Sequence, residues 1–254
     1  MIVSPKYSSE VFYESNYTLE EGENNDAYPP DKHVQVVHKL GSRSSLLTWT
    51  FNMLLAEALN RRDAGDVDYL AMHHSDIGAS KGWINELYGR MKERGDVLIS
   101  AVVPMKDHER IRTSTAVGVR DEPFNFRRYI TMSDQPGMPT TFGTEDVAKS
   151  DDEILLVNTG LWLADLSWPG WDSFRFHILN EIQVNPETGN RQAWVVSEDW
   201  YLSHYLDSLA APYSATWIPL RHIGIDYWDS CELPPIYPKF VPDDSSKVNK
   251  GKSQ

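Results

Sequence analysis

Two apolar runs constrain this chain more than anything else in it. Val67-Asp68-Tyr69-Leu70-Ala71-Met72 leads straight into the polar group His73-His74-Ser75-Asp76, and Val97 to Val103 is almost unbroken in apolar residues. A short run of this kind, without polar alternation, is the signature of a strand covered on both faces. Between the two runs Ile84, Leu87, Tyr88 and Met91 recur at helical spacing, with Gly95 as the stop. Ahead of the first run, Leu47, Phe51, Leu54, Leu55 and Ala58 mark another helix, ending near Arg62. Val34 to His38 supplies a further strand. Strand, helix, strand, helix, strand in this order predicts a doubly wound α/β arrangement.

The remaining segments fit around that frame. Gly41-Ser42-Arg43-Ser44-Ser45 reads as a turn rich in helix-capping residues. Residues 105–150 are polar and irregular, which predicts a long functional insert or lid. Glu153 to Asn158 reads as a strand closed by Thr159-Gly160, and Glu181–Val184 with Ala193–Val196 as a β-hairpin around Asn185–Asn190. Ser197 is placed to cap a helix running to Leu209, and Ser214 to Leu220 follows as a strand. The expectation is one α/β domain over 1–238, with a mostly parallel central sheet flanked by helices, a β-hairpin and a long insert. Residues 1–32 hold seven acids against two lysines and read as a loop-rich start, with a short strand at Ile2-Val3. The Lys/Ser/Asp-rich stretch 239–254 reads as a disordered tail.

Charge and cysteine usage narrow the function classes. The 254 residues carry 24 Lys+Arg against 37 Asp+Glu, a formal charge of −13. Such an acidic chain is ill suited to coating duplex DNA. With Cys231 as its single cysteine there is no disulfide framework and no thiolate-rich zinc site. No apolar run approaches the ~20 residues that span a bilayer. The first residues lack the basic-then-apolar pattern of a signal peptide. A soluble, cytoplasmic protein is the expectation.

Four places could carry chemistry. If strand geometry persists past His73, His74 and Asp76 point to one side at the carboxyl edge of the sheet, where open α/β sheets bind ligands. A carboxylate there suits Mg²⁺ or Mn²⁺ bridging to phosphates, and an imidazole tilts the choice toward Mn²⁺. The same residues could equally be a loop that leads into the next helix. Ser197-Glu198-Asp199 sets two acids in a first helical turn, where the dipole alone favours them. The functional alternative is a carboxylate that takes a proton from an acceptor hydroxyl. His222, between a strand and Gly224, is a metal ligand or a hydrogen-bonded structural histidine. Arg43, Ser44 and Ser45 could hold an anion at a helix N-terminus, and Asn52 is either a ligand contact or a buried structural amide.

The order of these features resembles that of the GT-A-type nucleotide-sugar glycosyltransferases, particularly short microbial and viral ones. The series is Gly-Ser-x-Ser-Ser-Leu-Leu with a following Asn, a strand ending in Ser-Asp-Ile, then Thr-Gly, Ser-Glu-Asp before a helix, and His-Ile-Gly after a strand. The likeness spans roughly residues 34–228. It implies that Asp76 stands for the second acid of the family's Asp-x-Asp motif and His222 for its late metal ligand, around Mn²⁺ or Mg²⁺. His74 replaces the first acid, a departure that leaves its role open. The resemblance implies Asp199, paired with Glu198, as catalytic base. It also implies a donor side formed by Ser4, Pro5, Arg43, Ser45, Asn52 and Ser75, and an acceptor side at Thr159, Gly160 and Trp162.

The chemistry so implied moves a sugar from a nucleotide-diphosphate donor to an acceptor hydroxyl on a glycan or small molecule. Trp162, Trp168 and Trp171 could stack on sugar or base, or simply pack in the core. A second reading is a viral DNA-modifying enzyme acting on hydroxymethylated bases, with Arg110, Arg112, Arg120, Arg127 and Arg128 gripping phosphates. A third is a non-catalytic nucleotide-sugar-binding domain, suggested by His74 in place of an acid. A metal-dependent hydrolase would use the same His/Asp group.

Overall fold

The computed structural model describes residues 1–6, 39–43, 46–80, 82–106, 111–185, 187–223 and 227–229. The expected strand Val34–His38, the residues Ser44, Ser45 and Gly224, and the stretch 239–254 lie outside them. The described strands are β1 (Ile2–Lys6), β2 (Lys39–Arg43), β3 (Tyr69–His73), β4 (Ile77–Ala79), β5 (Leu98–Ala101), β6 (Arg112–Val119), β7 (Glu122–Thr131), β8 (Thr141–Phe142), β9 (Glu153–Leu156), β10 (Leu161–Asp165), β11 (Leu179–Val184), β12 (Arg191–Val196), β13 (Tyr213–Thr216), β14 (Leu220–Ile223) and β15 (Tyr227–Asp229). The helices are α1 (Leu47–Asp63), α2 (Trp83–Arg94), the single turn α3 (Thr144–Val147) and α4 (Glu198–Ser208).

A central sheet runs in the order β2-β1-β3-β10-β5-β13-β8. Strands β2, β1 and β3 are parallel, β10 is antiparallel to both β3 and β5, and β13 is parallel to β5. Five strands therefore share one direction, as the α/β reading expects, while β10 and the short edge strand β8 run against them. Side chains of successive strand residues point to opposite faces. Leu70, Met72, Trp162, Ala164, Leu98 and Val102 join a core with α1 and α4 on one face. Ala71, Leu161, Leu163, Ile99, Ala101 and Val103 pack with Trp83, Leu87 and Met91 of α2 on the other. Both faces are covered, which explains the unbroken apolar runs.

The helices form for local reasons. Phe51, Leu54, Leu55 and Ala58 make the buried stripe of α1. No side chain caps it: Leu46 is the N-cap residue, and Gly41-Ser42-Arg43, expected as a turn, is instead strand β2 in register with β1. Helix α2 ends where Gly95, at φ +74°, lets its amide and that of Asp96 reach back to the Met91 carbonyl at 2.9 and 3.1 Å. That left-handed turn is open to glycine without strain.

The expected irregular insert is corrected by the structure. Strands β6 and β7 form a long antiparallel hairpin that joins β9 in a separate sheet, β7-β6-β9. Its polarity has a simple cause: β7 is largely exposed, so its residues need not be apolar. The β11–β12 hairpin is present as expected. The expected strand 214–220 is two strands: β13 in the central sheet, and β14 in a small sheet with β4 and β15.

Candidate active site

Strand β3 ends at His73, and the chain turns tightly there. The Ile77 amide donates to the His74 carbonyl at 3.1 Å, and the His74 amide to the Gly160 carbonyl at 2.8 Å. The turn delivers the chain to β4, which pairs antiparallel with β14 so that His222 lies opposite Ile77. This register carries His222 to the residue next door, Asp76. Its Nε2 lies 3.2 Å from Asp76 Oδ2, across 146 residues of sequence. From the end of β5, Lys106 Nζ approaches the same oxygen to 2.6 Å. The Pro104 carbonyl lies 2.8 Å from His222 Nδ1. Three segments thus meet on one carboxylate at the carboxyl edge of β3 and β5.

The hydrogen bonds fix how this group can work. A backbone carbonyl only accepts, so His222 Nδ1 carries a proton. Asp76 is an ionised carboxylate: burial opposes its charge, but hydrogen bonds from His222 and Lys106 outweigh that and hold it well below the usual range. It too only accepts. His222 Nε2 facing Oδ2 is therefore favourable in two states, an imidazolium or a neutral ring sharing a cation with the carboxylate. An imidazole whose Nδ1–H is held by a backbone carbonyl is the usual arrangement for metal ligation through Nε2. Asp76 Oδ1 is buried without a hydrogen-bond partner, a second oxygen with free acceptor capacity. Among the described residues no group of three or more His, Cys, Asp or Glu could hold a metal. A two-residue set fits Mg²⁺ or Mn²⁺, which keep waters and take oxygens from substrate phosphates.

His74 does not reach Asp76 by strand alternation, because β3 stops one residue earlier. Its ring packs 5.3 Å from that of Phe51, and burial pushes its pKa down to about 4. The turn also buries Ser75. Thr159 is buried beside it. Gly160 is tied in by its carbonyl, which accepts from His74, and by its amide, which donates to Asn158 Oδ1 at 2.9 Å.

The acidic pair opens α4 as the sequence suggests, but its two members differ. The Asp199 carboxylate is turned inward, accepting from the Ser197 hydroxyl and from the Trp200 amide. Ser197 thus bonds Asp199 and makes no side-chain cap bond of its own. Glu198 is half-buried, and desolvation, helped by the charge of Asp199, pushes its pKa up to about 7. Beside it Trp200, Phe126 and Tyr129 form an aromatic group with ring centroids 4.9–6.2 Å apart. Trp200 Nε1 donates to the Ser114 carbonyl at 3.4 Å, and Ser114 donates to the Val103 carbonyl, one residue before Pro104. The N-terminus of α4 and His222 are therefore fastened to adjacent residues of the same segment.

Other expected site residues are placed elsewhere. Ser4 and Pro5 lie on β1, between β2 and β3, with Arg43 at the end of β2. Ser45 is outside the described residues. Asn52 is no donor contact: its Nδ2 donates to the Phe176 carbonyl at 3.0 Å and its Oδ1 accepts from the Phe176 amide at 2.8 Å, so both ends are consumed. Trp162 is fully buried and stacks on Trp171, with centroids 6.4 Å apart, so it cannot face an acceptor. The insert arginines do not form a phosphate grip. Arg120 pairs with Asp207 and Arg127 with Asp152, Arg128 donates to the Val147 carbonyl, and Arg112 lies over the Tyr129 ring. Arg110 is outside the described residues. A cleft of about 420 Å³ lined by Arg120, His204 and Asp207 lies at the other end of α4, away from Asp76.

Lys106 was missed by the sequence reading. The signal was there: it follows a strand at the carboxyl edge, as Asp76 does. Pro104 could not be found that way, since its contribution is a backbone carbonyl.

No protein-family model matches the chain, and no curated protein matches its sequence. Among solved structures it is similar to A197 from STIV, at 12% identity over 89% of this chain and 85% of that one, with a TM-score of 0.48. It is also similar to the CMP:2-keto-3-deoxy-manno-octonic acid synthetase complexed with CTP, at 10% identity over 86% and 89%, with a TM-score of 0.41. A third is the uridine diphosphate N-acetylglucosamine pyrophosphorylase from Trypanosoma brucei, at 10% identity and a TM-score of 0.32; 63% of this chain covers 31% of that one. The functional reading rests on this chain's own residues. Among the described residues, no helix is long and apolar enough to cross a membrane.

Proposed function

We propose that the protein is a glycosyltransferase that binds a nucleotide-diphosphate sugar at the carboxyl edge of the central sheet and passes the sugar to an acceptor hydroxyl. The observation that carries this reading is the meeting of Asp76 and His222 at 3.2 Å, with a lysine on the same carboxylate. Asp76 and His222 would hold Mn²⁺ or Mg²⁺. A divalent cation in that place supplies Lewis-acid neutralisation of the departing diphosphate.

Glu198, rather than Asp199, is the proton acceptor in this scheme. The acceptor oxygen bonds to the anomeric carbon, the bond from that carbon to the diphosphate oxygen breaks, and the acceptor proton passes to a Glu198 carboxylate oxygen. A carboxyl group with a pKa of about 7 is matched to that task near neutral pH. Asp199, held by Ser197 and Trp200, keeps Glu198 basic through its charge. Phe126, Tyr129 and Trp200 offer ring faces on which a sugar or small-molecule acceptor can lie. Hydroxymethylated DNA is the weaker acceptor reading, because the described insert arginines are spent on local partners.

The test is a melting-temperature panel of nucleotide sugars with and without Mn²⁺. A ligand held only by the folded chain at a hundred times its Kd stabilises by about 2.7 kcal/mol. For a chain of this size that is about 5–10 °C. The donor so identified is then assayed for nucleoside diphosphate release. Binding with no release under any acceptor would leave a nucleotide-sugar-binding domain; no Mn²⁺-dependent shift with any nucleotide sugar would refute the proposal.

A further inference from the structure

Lys106 is one-third exposed, yet its ammonium sits 2.6 Å from Asp76 Oδ2, the oxygen that also faces His222 Nε2. Taking the metal reading above as its basis, we infer that Lys106 is a resident cation of the Asp76 carboxylate, which Mn²⁺ or Mg²⁺ must displace and which then serves the donor's diphosphate. The geometry gives the reason. A divalent ion bound to Oδ2 and Nε2 would lie about 2.0–2.2 Å from each. An ammonium already 2.6 Å from Oδ2 cannot stay there, because two like charges would then face each other a few ångströms apart in a half-buried place.

The displaced side chain has one direction to go. Its backbone stays fixed, since the Met105 amide donates to the Arg112 carbonyl at 2.9 Å and Pro104 is bridged to Thr113. A lysine is a flexible point charge that pairs readily with phosphate oxygens. The anion that arrives with the metal is the diphosphate, so the freed ammonium changes one oxyanion partner for another. Until then Lys106 neutralises a carboxylate whose other oxygen, Oδ1, has no hydrogen-bond partner. The effect is an ordered site: metal binding is opposed by Lys106, whereas diphosphate binding is helped by it.

Substituting Lys106 should therefore change two affinities in opposite directions. Calorimetric titrations of Mn²⁺ alone into the full chain should show about tenfold tighter binding in Lys106→Met than in the wild type, the size of one charge-assisted hydrogen bond removed from competition. Lys106→Arg keeps the charge and should stay within about threefold of the wild type. Lys106→Gln serves as a second neutral variant if Lys106→Met folds poorly by circular dichroism. With Mn²⁺ saturating, inorganic pyrophosphate should bind the neutral variant about tenfold more weakly than the wild type. Mn²⁺ affinity unchanged or weakened in both neutral variants overturns the resident-cation role, and pyrophosphate affinity unchanged overturns the transfer to phosphate. If neither wild type nor Lys106→Met binds Mn²⁺, or if Asp76→Asn binds it as well as the wild type, the metal reading itself falls and this inference with it.

Discussion

His73 gives the sharpest stability prediction. It ends β3 opposite Leu161 of β10, is wholly inaccessible to solvent, and lies 5.5 Å from the Trp83 ring. Neither ring nitrogen has a hydrogen-bond partner. Burial, assisted by the neighbouring His74, pushes its pKa from the ordinary 6.5 down to about 4. The sign follows from linkage: below pH 6.5 the unfolded chain takes up a proton that the folded chain refuses until about pH 4. Stability is therefore full above 6.5 and falls as the pH drops through that window. The slope is about 1.4 kcal/mol per pH unit, so His73 alone removes about 2 kcal/mol between pH 7 and pH 5. His73→Met fills a similar space and removes both unpartnered nitrogens, whose burial costs on the order of 1–3 kcal/mol. At pH 7 the variant should be at least as stable as the wild type. At pH 5 its advantage should be about 2 kcal/mol larger, roughly 4–8 °C in melting temperature. Urea or thermal unfolding of both proteins at the two pH values decides the matter. An advantage that does not change with pH would refute a neutral, proton-refusing His73.

Two further substitutions separate structural from functional roles. Asn52→Leu should lose about 1–3 kcal/mol of stability by leaving the Phe176 amide and carbonyl unpaired, with nucleotide-sugar affinity unchanged in the folded fraction; chemical denaturation and a binding titration check both halves. Glu198→Gln should lower kcat by ~10²–10⁴-fold with little change in donor affinity, and the wild-type rate should rise with pH through about 7 as Glu198 loses its proton; the pH–rate profile of each reads this directly.

What was legible in the sequence follows from burial. The strands covered on both faces, β3 and β5, announce themselves as apolar runs, and α1 and α2 show their buried stripes. Strand β7 is mostly exposed and carries Glu122, Arg127 and Arg128, so it reads as a loop. Strand β2, Lys39–Arg43, contains Gly and Ser and reads as a turn; its pairing with β1 comes from tertiary context that composition does not carry. The reversed strand β10 is visible as apolar residues but not as a direction. In the candidate site, Asp76 and His222 were singled out by type and place in the order, and the β4–β14 register brings them together. Lys106, the inward turn of Asp199 and the Asn52 clasp on Phe176 depend on side-chain directions that residue spacing leaves open.

The central claim is that Asp76 and His222 act as one cation-holding pair for a nucleotide-diphosphate donor. Mn²⁺-dependent release of nucleoside diphosphate from that donor, measured in wild type and in Asp76→Asn, tests it most directly. The account predicts release in the wild type that vanishes in the folded variant and on chelation of the metal. Release at the wild-type rate from Asp76→Asn, or release indifferent to chelation, would contradict it.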